Sequence, residues 1–191
     1  KVNGWVNYDN VKGDIKIEEL YAEYDLINNH IIENSIQGKA QIKDAKIRFH
    51  KDVDAVNTKS LDIFFKDNRL HFNLMEPMFK DKKLDGSFVL INNLTSEKNG
   101  QVDVFLKTNS KLDKDILDIL KAYNITLPII QKNGNTQASL LMKFPYDTTK
   151  NMSTYGEFFL NDAKVAINNF EFESKNAEVI LDDSIIKIKN S

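Results

Sequence analysis

The sequence predicts a mainly β fold: an antiparallel sheet extended hairpin by hairpin, with one amphipathic α-helix at about residues 111–123. Three observations carry this. Apolar residues recur two apart over most of the chain, the period of a half-buried strand. One long stretch is written twice, and internal repetition at that scale marks architecture. Only the segment Leu112, Ile116, Ile119, Leu120, Tyr123 holds apolar residues at helical spacing.

The repeated stretch is Gly38-Lys-Ala-Gln-Ile-Lys-Asp-Ala-Lys-Ile-Arg-Phe49, which returns in degenerate form as Gly156-Glu-Phe-Phe-Leu-Asn-Asp-Ala-Lys-Val-Ala-Ile167. In each copy a Gly opens an alternating strand (Ala40 and Ile42; Phe158 and Leu160). Asp-Ala-Lys reads as a turn, and a second strand returns (Ile47 and Phe49; Val165 and Ile167). Downstream, after a two-residue slip, Leu61, Ile63 and Phe65, the turn Asp67-Asn68, and Leu70 and Phe72 correspond to Ala177, Val179 and Leu181, Asp183-Ser184, and Ile186 and Ile188. The repeats cover about 36–75 and 154–190, joined by a hairpin-helix-strand segment at about 84–146, and the whole reads as a single fragment of a longer protein.

Taken in order, Trp5 to Tyr8 reads as a strand running to a turn at Asn10-Val-Lys-Gly13, whose Asn and Gly tolerate positive φ; Ile15, Ile17 and Leu20 continue it. From Tyr21 to Ile36 the pattern blurs. Glu76-Pro77 ends the first repeat, because proline donates nothing to a sheet ladder. Lys80 to Lys83 reads as an exposed basic connector, and Gly86–Ile91 with Gln101–Leu106 makes a further hairpin around a polar loop. The helix is expected to take Ser110 as N-cap with Asp113 as its reciprocal partner, and Asn124 and Pro128 stop it. Gly134 opens a strand carrying Ala138, Leu140, Met142 and Phe144 on one face, and Pro145 closes it.

Composition narrows the function classes. With 26 basic and 28 acidic residues interspersed and a net charge of −2, the chain lacks the basic footprint of a nucleic-acid binder. Zero cysteines exclude disulfides, thiolate metal sites and cysteine nucleophiles. His30, His50 and His71 show no paired ligand spacing and read as surface residues at strand ends. No nucleophile elbow or phosphate-cradling glycine loop is present. Asp113, Asp115 and Asp118 read as charges matched to a helix N-terminus, and the recurring Asp44 and Asp162 as turn residues bonding their own backbone. Most of the phenylalanines are expected in a core or lining a groove. No enzymatic activity and no cofactor is expected.

The alternating residues leave two apolar sets that one helix cannot cover. They either pack face to face as a sandwich or line an open trough, and acyl chains suit a trough because each buried CH₂ contributes about 0.8 kcal/mol without directional contacts. The Gly-opened, Asp-Ala-marked repeat, with the connection Leu117–Gly134 between copies, resembles the periplasmic β-rich region of the AsmA-like superfamily, in particular its YhdP-type branch, with TamB as a cousin. The resemblance covers most of residues 34–191 and implies a curved antiparallel sheet, groove- or half-pipe-like. It implies a periplasmic lipid-transfer module whose apolar interior carries phospholipid acyl chains between inner and outer membranes. It also implies attachment to the inner membrane by an anchor outside this chain, and envelope proteins as partners. The lining that the period-two alternation supplies for such a groove is Ala40, Ile42, Ile47, Phe49, Leu61, Ile63, Phe65, Leu70 and Phe72 from the first copy, Ala138, Leu140, Met142 and Phe144 from the connection, and Phe158, Leu160, Val165, Ile167, Val179, Leu181, Ile186 and Ile188 from the second. The alternative is a structural or protein-interaction β-module of the envelope.

Overall fold

The computed structural model describes residues 11–32, 34–94, 99–127, 129–147, 149–167 and 170–190. The expected strand at Trp5–Tyr8 and the centre of the polar loop at 95–98 lie outside these, as do the side chains of Ile167 and Phe172. The strands are β1 (Val11–Tyr21), β2 (Tyr24–Asp25), β3 (His30–Ile31), β4 (Gln37–Ile47), β5 (Val56–Lys66), β6 (Arg69–Met75), β7 (Met78–Phe79) and β8 (Lys82–Lys83). They continue with β9 (Phe88–Asn92), β10 (Gln101–Ser110), β11 (Ile129–Pro145), β12 (Ser153–Ile167), β13 (Phe170–Asp182) and β14 (Ile185–Asn190); the helix α1 (Lys114–Ala122) stands between β10 and β11.

One antiparallel sheet runs β1-β4-β5-β6-β9-β10-β11-β12-β13-β14, with the short β7 and β8 attached to its side and β2-β3 forming a separate hairpin. Omitting those excursions, every strand pairs with its neighbour in the chain, so the sheet is a meander that grows sideways one strand at a time. Both ends are open: β1 and β14 pair with nothing on their outer edges among the described residues. The sheet curls around α1. On a flat sheet β4 and β11 would stand roughly 24 Å apart at about 4.8 Å per strand. Yet the ring of Tyr123 at the end of α1 lies 5.2 Å from His50, just past β4, and 5.5 Å from Phe144 on β11.

The tight turns at Asp67-Asn68 and Asp183-Ser184 are where the repeat places them, closing β5 to β6 and β13 to β14. The Asp-Ala-Lys segments are not turns. Asp44 (φ 48°) and Asp162 (φ 44°) are extra residues inside continuous strands. Beside each sits a glycine of the neighbouring strand, Gly13 (φ 145°) and Gly134 (φ 84°), where the register of β1 against β4 and of β11 against β12 shifts. A Cβ on Gly13 would come within 2.6 Å of the Lys43 carbonyl oxygen, and one on Gly134 within 2.5 Å of that of Asn161. The bulge and its glycine are therefore one device, present once per copy, that bends the sheet. Residues on both sides of it belong to one strand: inward positions pass from Ile42 to Ala45 and from Leu160 to Ala163, a one-residue phase slip. Accordingly Gly13 is not a hairpin turn and Gly134 does not open a strand; each lies inside one.

The helix is also shorter than its apolar spacing suggests. Its N-cap is Asp113 rather than Ser110: the Asp113 carboxylate accepts from the backbone N–H of Asp115 (3.1 Å) and Ile116 (3.3 Å). Leu112 precedes the helix as coil, and Asn124 (φ 61°) ends it in the left-handed conformation such ends favour. The aromatic residues divide between the faces. Phe88 stacks 5.2 Å from Phe105 and meets His71 edge-on at 5.4 Å, all on the sheet's outer side, so His71 is no strand-end histidine and these rings line no groove.

Candidate functional site

Cross-strand partners point to the same side of a sheet, so the pairing register traces the inner face residue by residue. One row crosses eight strands as Ile17, Ala40, Ile63, Phe72, Val89, Val104, Met142 and Thr154. At about 4.8 Å per strand it is roughly 34 Å long. A parallel row runs Leu20, Gly38, Phe65, Leu70, Ile91, Val102, Phe144. On the far side Leu106, Leu140, Gly156, Leu181 and Ile186 align, as do Thr108, Ala138, Phe158, Val179 and Ile188. The apolar surface is thus continuous across the strands, in the direction in which the meander grows.

Its middle is covered. The crossover from β10 to β11 lays Leu112, Ile116, Ile119, Leu120, Tyr123, Ile125 and Leu127 into the same buried cluster as Val104, Leu140, Met142, Phe158 and Leu181. At about 1.5–3 kcal/mol per buried side chain, those seven contribute a gross stabilisation of roughly 10–20 kcal/mol, an upper estimate before ordering entropy. The crossover is a fixed wall on this scale.

Polar contacts fix its position at the N-terminal end of α1. Lys82, in the segment expected to be an exposed connector, is only 5% exposed. Its ammonium donates to Asp113 (2.8 Å) and Asp81 (2.8 Å), with Asp115 at 3.6 Å. Burial opposes the Lys82 charge, but the hydrogen bonds to Asp113 and Asp81 outweigh it and hold its pKa above the usual lysine value. Lys80 bonds Asp115 at 2.5 Å and lowers that carboxyl's pKa. Beneath, the buried Gln131 side-chain oxygen accepts from the Leu112 N–H and the Thr136 hydroxyl, each at 2.8 Å. Burial alone pushes the Tyr123 hydroxyl up to about 12.

The residues expected to line a groove therefore fall into separate environments. Ile42, Ile47, Leu61, Phe72, Ala138, Leu140, Met142, Phe158, Leu160, Val179 and Leu181 are buried in the shared cluster. Ala40, Phe49, Ile63, Phe65, Leu70, Phe144, Val165 and Ile186 are half-buried, and Ile188 on the edge strand is exposed. Ile167 pairs with Ile129 and Phe170, its side chain lying outside the described residues.

Where the wall stops, the inner face opens. Ile15, Ile17 and Leu20 on β1 are 62%, 69% and 75% exposed; Ile17 and Leu20 continue the rows of Ala40 and Ile63 and of Phe65 and Leu70, and Ile15 that of Ile42. Sequence reasoning did not place the β1 residues in the groove. Their alternation is legible, but the repeat begins after them, at about residue 36. Deeper in, next to Phe72 and Ile91, lies a cavity of about 40 Å³ lined by Val11, Ile47, Arg48, Phe49, Leu61, Phe72, Leu74, Val89 and Ile91. All of these but Arg48 are apolar, and a cavity so lined stays dry.

The model of the YhdP protein family matches residues 22–190. The chain belongs to the YhdP protein family. This is an AsmA-like envelope protein family, in keeping with the resemblance carried by the repeat. The open, curved antiparallel sheet of this YhdP-family chain is the architecture the resemblance implies. No curated protein and no solved structure matches the chain. No described helix is long and apolar enough to cross a membrane, and no described group of three or more side chains is placed to hold a metal ion.

Proposed function

We propose that this chain is a non-enzymatic lipid-binding and lipid-transfer module of a YhdP-type envelope protein. It would work in the periplasm, held at the inner membrane by an anchor elsewhere in the full-length protein, and pass phospholipids between the two membranes. One observation carries the reading. An apolar inner face runs across the strands and stays open to solvent at Ile15, Ile17, Leu20, Ala40, Ile63, Phe65 and Leu70. A sheet face of that kind needs an apolar cover, and acyl chains supply one without directional contacts, so a chain moves along it without a large barrier. The open part of these rows spans β1, β4, β5 and the start of β6, and ends where Phe72, Ile91, Val102 and Val104 are buried with the wall made by residues 111–127.

The test is the lipid content of the purified protein. Mass spectrometry of the native chain is expected to find co-purified phospholipid, and Ile63→Asp is expected to lower its amount severalfold while the protein stays folded. Lipid-free native protein contradicts the proposal.

A second reading has its own support. Among the described residues β1 and β14 present unpaired outer edges, and such edges accept an added strand from a partner. An interaction module of this kind would bind an extended peptide with no lipid present.

A further inference from the structure

The chain is rich in lysine and holds only two arginines, Arg48 and Arg69. Arg48 follows the last residue of β4 and lies at the mouth of the apolar cavity, the single charged group among its lining residues. It makes no ion pair with a described residue. Of the carboxylates on its other side, Asp54, Asp115 and Asp118 are engaged elsewhere: Asp54 and Asp115 take Lys80, and Asp118 takes Lys114. Asp52, whose backbone N–H donates to His50 Nδ1, keeps an exposed carboxylate that makes no ion pair with Arg48. The remaining cations here are Lys51, at the rim of the neighbouring cavity, and Lys80, committed to its two carboxylates. Arg48 is thus the one exposed guanidinium that combines a free charge with a greasy cavity beneath it.

The cavity adjoins the open strip along β1. Val11 lines the cavity and begins the strand whose Ile15, Ile17 and Leu20 are exposed, and Leu20 aligns with Phe65 through Gly38. We propose that Arg48 is the headgroup anchor of the lipid site. Its guanidinium holds the phosphate of a phospholipid, and one acyl chain runs past Val11 and out along Ile15, Ile17 and Leu20, beside Phe65. The planar fork matches a phosphate in a way a lysine does not, and the distance suits the ligand. From Ile47 to Gly38 the strand covers roughly 30 Å at about 3.3 Å per residue, more than the roughly 15 Å of one leaflet's hydrocarbon. This inference rests on the lipid-binding reading above and adds to it a fixed headgroup position and a requirement for an anionic phosphate.

The experiment places the photo-crosslinking residue p-benzoylphenylalanine at position 65, aromatic for aromatic, in the purified chain. The protein is then mixed with vesicles containing labelled phosphatidylglycerol, diacylglycerol or oleate. With Arg48 in place all three are captured, phosphatidylglycerol most strongly. Arg48→Gln is expected to reduce capture of phosphatidylglycerol about tenfold, Arg48→Lys to restore part of it, and neither to change capture of diacylglycerol. Because Arg48 is exposed, both variants are expected to melt with the parent protein. Unchanged phosphatidylglycerol capture in Arg48→Gln overturns the anchor and leaves the lipid-binding reading standing. So does a loss confined to oleate, which assigns the site to carboxylates. No capture of any lipid by the parent protein overturns the lipid-binding reading itself, and the anchor with it.

Discussion

At three equivalent positions the second copy of the repeat is sealed where the first is partly open. Ile63 and Phe65 are half-buried at the margin of the open strip, whereas their counterparts Val179 and Leu181 are sealed in the core. Ala40 is half-buried and its counterpart Phe158 is buried. On the strand preceding each copy, Ile17 is 69% exposed, while Ala138, which faces Phe158 as Ile17 faces Ala40, lies buried. Both copies share the alternation, the Asp bulge and the opposing glycine, so none of these decides exposure. The crossover does: residues 111–127 share one buried cluster with Phe158, Val179 and Leu181 of the second copy and with Ile42, Ala45, Ile47 and Leu61 of the first, and leave open only the other end of β4 and β5, at Ala40, Ile63 and Phe65, beside Ile15, Ile17 and Leu20 of β1. A repeated sheet thereby becomes a core over most of its inner face and a candidate binding surface at that open end.

The comparison breaks most visibly with a charge placed at equivalent positions. Val179→Asp buries an unpaired carboxylate and is expected to cost about 4 kcal/mol or more. Ile63→Asp, with solvent in reach, is expected to cost about 1–2 kcal/mol. Urea denaturation of both variants measures the difference, and equal costs would remove the asymmetry.

Next in size, Gly13→Ala and Gly134→Ala should each destabilise by about 1–3 kcal/mol, because both have positive φ and a Cβ there collides with a backbone carbonyl. Thermal melts are expected to show similar losses for the two, since the bulge is the part of the repeat that the copies share. A loss at one alone would show that the devices are not equivalent.

Lys82→Ala sharpens the account of the wall. It removes the cation that Asp113 and Asp81 hold, at an expected cost of about 1–2 kcal/mol. Hydrogen exchange should quicken in the amides of α1 and not in β4 and β5.

The smallest effect is that of pH on the same contacts. Asp115 has a pKa below its reference of 3.8, so its pairing with Lys80 contributes fully above that value and is lost as pH falls through the lower folded pKa. Lys82 has a pKa above its reference of 10.5, so its contribution holds below that value and fades only in more alkaline solution. Protection of the α1 amides is therefore expected to be flat from about pH 5 to 10 and to fall below about pH 4.

The strand content, the single helix, the turns at Asp67-Asn68 and Asp183-Ser184 and the family were all legible in the residues, because period-two alternation and turn chemistry are local. The bulges are not legible in the same way, since Asp44 and Asp162 carry the local signature of a hairpin turn yet lie inside continuous strands. An Asp followed by Ala and Lys serves either purpose, and what separates them is the glycine on the adjacent strand, Gly13 some thirty residues before Asp44 and Gly134 before Asp162. The phase slip from Ile42 to Ala45 and from Leu160 to Ala163 was the readable clue. Lys82 was read as exposed because the carboxylate of Asp113 that holds it arrives from another part of the chain. The lining of the site was legible as a face but not as an opening, since alternation tells which side a residue points to and says nothing of what lies above it.

The most direct test of the account compares equivalent positions of the two copies. Place p-benzoylphenylalanine at position 65 in one sample and at position 181 in another, and irradiate each with phosphatidylethanolamine–phosphatidylglycerol vesicles. Lipid adducts are expected at 65 and not at 181. Adducts at neither position, or at both in equal yield, would contradict the claim that the open end of the first copy binds lipid while its counterpart at position 181 is sealed.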